Sequence, residues 1–289
     1  MRILSLRSPA KVNLFLEITG KREDGYHNLE SILDTVSLYD LITLKENPGR
    51  IKVSLIKGST PMDWTDLPQE KNLAYQAALL LKSEFKINRG VEIKIEKHIS
   101  LSSGLGGGSS NAATVLLGLN KLWRINLPSE KLLGLAAKLG SDVPFFIKKG
   151  RCLARGRGEI LFPLSPFPEI WYVIIVPEIK ISTGDVYRQL SSLDLTKRKN
   201  SIKILSALEK GDLDKIGRYL FNRLEEVSLG NYPEIGDYKE CLKKSGVLGA
   251  LMSGSGGSLF GIAKDSKDAA KIASRLTKGK VFVVRSKEE

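Results

Sequence analysis

Residues 104–114 read Gly-Leu-Gly-Gly-Gly-Ser-Ser-Asn-Ala-Ala-Thr, a run of four glycines and two serines that passes into helix-forming residues. Upstream, Val91-Glu92-Ile93-Lys94-Ile95 alternates apolar and charged side chains, the period of a half-buried strand, and Ile99 to Ser103 makes a short connector. Downstream a helix is expected from about Ser110 to Trp123. Glycines placed between a strand and a helix let backbone approach a ligand closely. The helix start adds unpaired N–H groups and the positive end of its dipole. Phosphate is the natural guest, and the hydroxyls of Ser109 and Ser110 could bind its oxygens or a metal. Two known phosphate loops do not fit. A Walker A loop ends in Gly-Lys-Ser/Thr, whereas Gly108 is followed by Ser109, Ser110 and Asn111. A dinucleotide fingerprint needs an acidic residue ending the next strand about 20 residues on. That region is Trp123 to Leu127, followed by another helical pattern. A flexible turn is the remaining alternative.

Working outward, Val12 to Thr19, Ile32 to Leu38, Leu41 to Lys45 and Ile51 to Ile56 read as strands of an antiparallel sheet. A helix capped by Asn72 runs to Phe85, and another covers Glu130 to Leu139. The motif Gly140-Ser141-Asp142-Val143-Pro144 then breaks the helical pattern. Three prolines between Pro163 and Pro168 suggest a boundary, with domains at 1–162 and 163–289. Beyond it, strands are expected at Trp171 to Val176, Gly249 to Met252, Leu259 to Ala263 and Val281 to Arg285. Helices are expected at Ile202 to Leu208, Leu213 to Val227, Gly236 to Lys244 and Ala269 to Leu276. Ser182 and Asp185 form a capping-box pattern. The class is α+β with two domains, and a split β-α-β arrangement of ferredoxin type accommodates the second.

Composition narrows the function classes. With 42% hydrophobic and 27% charged residues in 289, the chain reads as a globular protein. It lacks an apolar run of the roughly 20 residues a membrane helix needs, and its start lacks a secretory leader, so a cytoplasmic protein is expected. Cys152 and Cys241 are read as reduced. The net charge of +13 raises nucleic-acid binding as a rival reading. The excess is spread along the chain, however, and the densest cluster, Lys197-Arg198-Lys199, reads as a solvated loop. A diffuse positive field also draws in small anionic substrates. With only His27 and His98, a zinc site is not expected.

Four further features carry possible chemistry. Asp142 could accept a proton from a substrate hydroxyl, or simply cap the next turn. Lys11, at the entry to the first long strand, reads on its own as solvated. Tyr26 and His27 follow the charged turn Lys21-Arg22-Glu23-Asp24 and could hold a flat ligand, or the tyrosine could fold back on the core. The second glycine cluster, Ser253 to Ser258, could be a plain hairpin or backbone held close to a ligand.

Taken together, SPAKVNLFLEITGKREDGYH at 8–27, GLGGGSSNAATVLLGLN at 104–120, LGSDVPFF at 139–146, GRGE at 156–159 and SGSGGSLF at 253–260 resemble one kinase superfamily. It is that of galactokinase, homoserine kinase, mevalonate kinase and phosphomevalonate kinase. SPAKVNL with REDGYH is most similar to the members that act on a cytidine-diphospho-methylerythritol in the non-mevalonate route to isoprenoids.

The resemblance implies an N-terminal domain like the second domain of ribosomal protein S5, a C-terminal ferredoxin-like domain, and an active site between them. It implies transfer of the γ-phosphoryl group of ATP, with Mg²⁺, to the substrate 2-hydroxyl. The partners implied are these small molecules, not nucleic acid or membrane. Asp142 is implied as base and Lys11 as the residue that assists it. The ATP loop would comprise Ser100, Leu101, Ser102, Ser103, Gly104, Leu105, Gly106, Gly107, Gly108, Ser109 and Ser110, with Asn72 and Lys97 on the adenine side. Tyr26 and His27 match the cytosine contacts, Tyr187 a second aromatic, and Asn13 a substrate contact. Two positions depart from the pattern: Ser100 stands where many members carry proline, and Arg223 where an acidic residue is common. Metal ligands and oligomeric state stay open.

Overall fold

The computed structural model describes residues 2–58, 68–164, 168–179, 181–190 and 198–287. Lys197 of the basic cluster and Pro166 of the proline-rich stretch lie outside them. The chain divides into two compact units. The first comprises residues 1–10, 38–101 and 106–148, and the second 11–37, 102–105 and 149–289. The two longest strands and the glycine loop therefore each contribute to both.

In chain order the N-terminal half contains β1 (Ile3–Lys21), β2 (His27–Asn47), β3 (Ile51–Lys57), α1 (Leu73–Glu84), β4 (Gly90–Lys97), α2 (Gly107–Leu122), α3 (Ser129–Leu139) and α4 (Val143–Lys148). Within the first unit, β3 pairs parallel to β4, Ile51 opposite Val91, with α1 as the crossover that a parallel pair requires. On its other side β4 pairs antiparallel to β2, Leu41 opposite Glu96. Period-2 alternation buries Val91, Ile93 and Ile95 against the helices. Ala74, Ala77 and Leu81 of α1 and Ala112, Leu116 and Leu119 of α2 are all fully buried. The strands expected at Ile32 to Leu38 and Leu41 to Lys45 are one continuous β2, because Tyr39-Asp40 stays extended.

The second unit adds β5 (Arg151–Arg155), β6 (Ile160–Pro163), β7 (Trp171–Val176), α5 (Thr183–Gln189), α6 (Ile202–Glu209), α7 (Leu213–Tyr219), β8 (Phe221–Asn222), α8 (Arg223–Asn231), α9 (Pro233–Lys244), β9 (Ala250–Met252), β10 (Leu259–Ala263), α10 (Ser266–Ser274) and β11 (Lys280–Arg285). Here β5 pairs antiparallel to β2, Ser31 opposite Ala154, and carries β6 on its far edge. A separate four-stranded antiparallel sheet has the order β11-β7-β10-β9. Its apolar face, including Val173, Ile175 and Leu259, packs with Val186 of α5, Leu224 of α8, Leu242 of α9 and Ile272 of α10.

Two further expectations are corrected. Ile51 to Ile56, expected in an antiparallel sheet, lies in the edge strand β3, which pairs parallel to β4 because α1 carries the chain back across the sheet. Leu213 to Val227 is not a continuous helix: Leu220 turns extended, and Phe221-Asn222 forms a two-residue strand parallel to β1, Phe15 opposite Phe221. A new helix then starts under an Asn222 cap that accepts the Leu224 N–H at 3.0 Å. The helical apolar period runs through the break, which is why the sequence hides it. Among the described residues no helix is long and apolar enough to cross a membrane.

Candidate active site

The second helix starts three residues earlier than expected, at Gly107, and its cap is Gly106, which offers no side-chain acceptor. The Ser110 N–H is the first to bond back along the helix, reaching the Gly106 carbonyl at 2.9 Å. The N–H groups of Gly107, Gly108 and Ser109 thus lack an acceptor within the helix. Gly108 is exposed and Ser109 half-buried, so this first turn can meet an anion. Ser110 is fully buried, and its hydroxyl accepts from Ser8 Oγ at 2.8 Å.

Ser110 belongs to a buried polar network beneath the turn. Asn111 Nδ2 donates to Ser8 Oγ and to Asp40 Oδ2, each at 2.9 Å. Asp40 Oδ1 accepts the N–H groups of His98 at 2.8 Å and Ile99 at 2.9 Å. Lys97 forms an ion pair with Asp40, and the two side chains are 1% and 0% exposed. Burial pushes the Lys97 ammonium pKa down, and the Asp40 carboxylate opposes that. A Cβ on Gly107 would stand 3.2 Å from Lys97 Nζ and 2.9 Å from Ile99 Cγ2. The Lys97–Asp40 ion pair therefore lies directly behind the first turn of α2. Lys97 is thus placed in the core of the first unit. Asn72 is a helix cap, its Oδ1 accepting the Ala74 N–H at 2.9 Å.

Asp142 is half-buried in the turn that joins α3 to α4, where the Val143 N–H reaches the Gly140 carbonyl at 3.2 Å. Ser100 is half-buried, while Leu101 and Ser102 are exposed, Ser102 at a left-handed φ of 49°.

In the second unit, Lys11 and Asn13 project from the same face of β1, each 3% exposed. Lys11 Nζ donates to Asn13 Oδ1. Asn13 Nδ2 donates to Ser31 Oγ at 2.9 Å, and that hydroxyl donates to the Phe15 carbonyl at 2.7 Å. The first half of the glycine loop is fastened beside them. Leu105 accepts the Lys11 N–H at 3.0 Å, Ser103 accepts the Ser258 N–H at 2.9 Å, and Gly104 accepts Ser253 Oγ at 3.0 Å. Gly104 combines a φ of 77° with a Cβ position only 2.0 Å from the Ser253 carbonyl oxygen, so no other residue fits. The Ser253 to Ser258 segment is the link of a β9–β10 hairpin, and its backbone is packed against Gly104, Lys11 and Asn13.

His27 and Tyr187 face each other with ring centroids 5.9 Å apart and planes tilted by 38°. Burial, helped by Lys21, holds the His27 imidazole below its ordinary pKa of 6.5, which favours the neutral ring. Tyr26 is 53% exposed and does not fold back on the core. Instead the Arg157 guanidinium, from the GRGE turn, lies 4.7 Å from its ring centroid.

Reasoning from sequence missed Asp40, Asn111 and Ser8 beneath the loop, and Arg157 over Tyr26. One signal was available: Lys97 continues the inward parity of Val91, Ile93 and Ile95, so a buried lysine and an anionic partner were implied. Arg223, left without a role, forms a two-pronged bond to the buried Glu17, Nε to Oε1 at 2.9 Å and Nη2 to Oε2 at 2.8 Å.

A glycine-rich loop feeding an open helix start, in an α+β chain, is an arrangement suited to phosphate binding. Family models agree with that reading: "GHMP kinases N terminal domain" matches residues 72–150 and "GHMP kinases C terminal" matches 204–280. The chain is a kinase of that ATP-dependent, small-molecule class. A relative from Alkaliphilus metalliredigens named 4-diphosphocytidyl-2-C-methyl-D-erythritol kinase is 44% identical over 92% of this chain and 89% of its own length. One of the same name from Clostridioides difficile is 39% identical over 100% of this chain and 97% of its own. A crystal structure described as 4-(cytidine 5'-diphospho)-2C-methyl-D-erythritol kinase superposes with a TM-score of 0.83 at 33% identity, covering 99% of this chain and 100% of that one. The chain belongs to the 4-diphosphocytidyl-2-C-methyl-D-erythritol kinase family.

Proposed function

We propose that this chain transfers the γ-phosphoryl group of ATP to the 2-hydroxyl of 4-diphosphocytidyl-2-C-methyl-D-erythritol, within non-mevalonate isoprenoid synthesis. The observation that carries the reading is whole-length similarity to relatives of that name, in a chain that has both the glycine loop and the His27–Tyr187 ring pair.

In the transfer, the acceptor oxygen bonds to the γ-phosphorus as the bond to the β,γ-bridging oxygen breaks and ADP leaves. Asp142 takes the hydroxyl proton. Lys11 stabilises negative charge on the attacking oxygen, and Asn13 holds the ammonium in place. The N–H groups of Gly107, Gly108 and Ser109 cradle the triphosphate, backed by Lys97. Such reactions rely on positioning and charge stabilisation more than on covalent chemistry. Neutral His27 hydrogen-bonds the cytosine edge, while Tyr26 and Tyr187 offer ring faces for stacking.

No group of three or more His, Cys, Asp or Glu residues suited to a metal occurs among the described residues. Mg²⁺ in kinase sites is bound mainly through substrate phosphate oxygens and water, with few protein ligands. Ser109, half-buried at the start of α2, is the residue that would help hold it. Bound there, the ion would neutralise charge on the β- and γ-phosphates.

The same reading extends to architecture. The four strands β7, β9, β10 and β11, with helices between β7 and β9 and α10 between β10 and β11, and the sheet order β11-β7-β10-β9 support a ferredoxin-like second domain. The decisive experiment supplies purified protein with ATP, Mg²⁺ and 4-diphosphocytidyl-2-C-methyl-D-erythritol, with homoserine and mevalonate as competing acceptors. ADP release dependent on the cytidine compound is expected. Turnover of another alcohol alone would replace the assignment.

A further inference from the structure

The Asn222-Arg223-Leu224-Glu225 segment at the start of α8 grips the turn that packs against Lys11 and the glycine loop. Asn222 is 2% exposed. Its Oδ1 caps the helix, and its Nδ2 donates to two carbonyls on the β9–β10 link, Met252 at 2.9 Å and Gly254 at 2.7 Å. From the next helical turn, Glu225 Oε1 accepts the Met252 N–H at 3.0 Å, while its other oxygen is paired to Lys239. Ser228 Oγ, a turn further on, reaches the Ser255 carbonyl at 3.4 Å. The spacing 222, 225, 228 puts all three on one face of the helix start.

What this face holds is the backbone nearest the reacting groups of the second unit. Gly254 has a φ of 59°, and a Cβ there would lie 3.1 Å from Lys11 Nζ, 3.3 Å from the Gly104 carbonyl and 3.5 Å from Asn13 Oδ1. Ser253 Oγ bonds the Gly104 carbonyl and approaches Asn13 Oδ1 at 3.5 Å. The Lys11 ammonium is therefore packed against Gly254, and Gly254 is hung from Asn222. A six-residue link whose strand ladder ends at Met252 opposite Leu259 needs contacts from outside the hairpin to keep that spacing.

We propose that Asn222 is a positioning residue for the phosphoryl transfer. Through its two donated bonds it sets the Ser253-Gly254 backbone, and so fixes Lys11, Asn13 and the Gly104 carbonyl in their working arrangement. The proposal rests on the kinase reading above. It also accounts for an amide in place of a simple cap: Ser, Thr or Asp would cap α8 equally well, but none can donate to both carbonyls.

Asn222→Ser keeps a capping oxygen and removes the double donation. In the assay above, its kcat should fall about ten- to a hundred-fold, the scale of an ångström-level misplacement, with KM for ATP and for the cytidine substrate each within about three-fold of wild type. Hydrogen exchange should quicken at Ser253 to Ser258 and stay unchanged along α8. Glu226→Ala, which alters a neighbour facing away from the turn, should match wild type. Gly254→Ala, which leaves Asn222 and its cap intact, should reproduce the loss of kcat by crowding Lys11. Wild-type kcat in Asn222→Ser or in Gly254→Ala overturns the proposal, as does unchanged exchange at the turn. A wild-type protein that ignores the cytidine substrate would instead overturn the kinase assignment, and the exchange measurement would still decide whether Asn222 holds the turn.

Discussion

Asp142 and Lys11 show how unevenly single residues can be read. Asp142 stands, half-buried, in a turn whose glycine and proline were plain in the sequence. Asp142→Asn keeps the shape and removes the base. We expect kcat to fall about 10²- to 10⁴-fold, the usual worth of a positioned proton acceptor, with ATP affinity nearly unchanged by calorimetry. Undiminished turnover would remove Asp142 from that role. Lys11, by contrast, reads alone as a solvated lysine and is 3% exposed. Only its neighbours in the fold, Asn13 and Gly254, turn it into a fixed charge. His27 allows a test by pH. Burial holds its folded pKa below 6.5, so the neutral ring predominates between pH 8 and 6.5 and gives way at lower pH. KM for the cytidine substrate should be flat across that range and rise below it. A rise that begins above pH 7 would contradict the neutral-ring role.

Among the elements, β4 and α2 were legible because their periods are clean, whereas the α7–β8–α8 break was not. A continuous apolar period masks a two-residue strand, since one turn of helix and a short extended step can return the chain to the same face. The break matters because it delivers both Asn222 and Arg223 to β1. Arg223 stacks 4.9 Å from the Phe221 ring centroid and neutralises Glu17, which is 1% exposed. Arg223→Asp, which restores an acidic residue at that position, would leave two carboxylates together and one of them deeply buried. A loss of about 3–5 kcal/mol is expected in urea unfolding, the range for breaking a buried pair. A change below about 1 kcal/mol would mean that Glu17 is relieved by its other donors, the Ile18 and Lys199 N–H groups.

For the whole molecule, the charge of +13 belongs to a protein whose proposed substrates are polyanions. If the diffuse field steers them, kcat/KM for both should fall as salt rises from 20 to 300 mM while kcat holds. Salt-independent kcat/KM would confine the attraction to the loop itself. By itself the sequence determined the α+β class, the kinase superfamily, the glycine loop and most of the elements. These rest on local signals: glycine spacing, side-chain period, caps and short motifs. The tertiary structure alone decided that Lys97 lies behind the loop with Asp40, that Arg223 answers Glu17 across 206 positions, and that the second glycine cluster is hung from Asn222 against Lys11. A buried charge or a left-handed glycine shows in a sequence only as a lysine or a glycine. The partner that gives it meaning is brought near by folding, from a distance along the chain at which no periodic pattern persists.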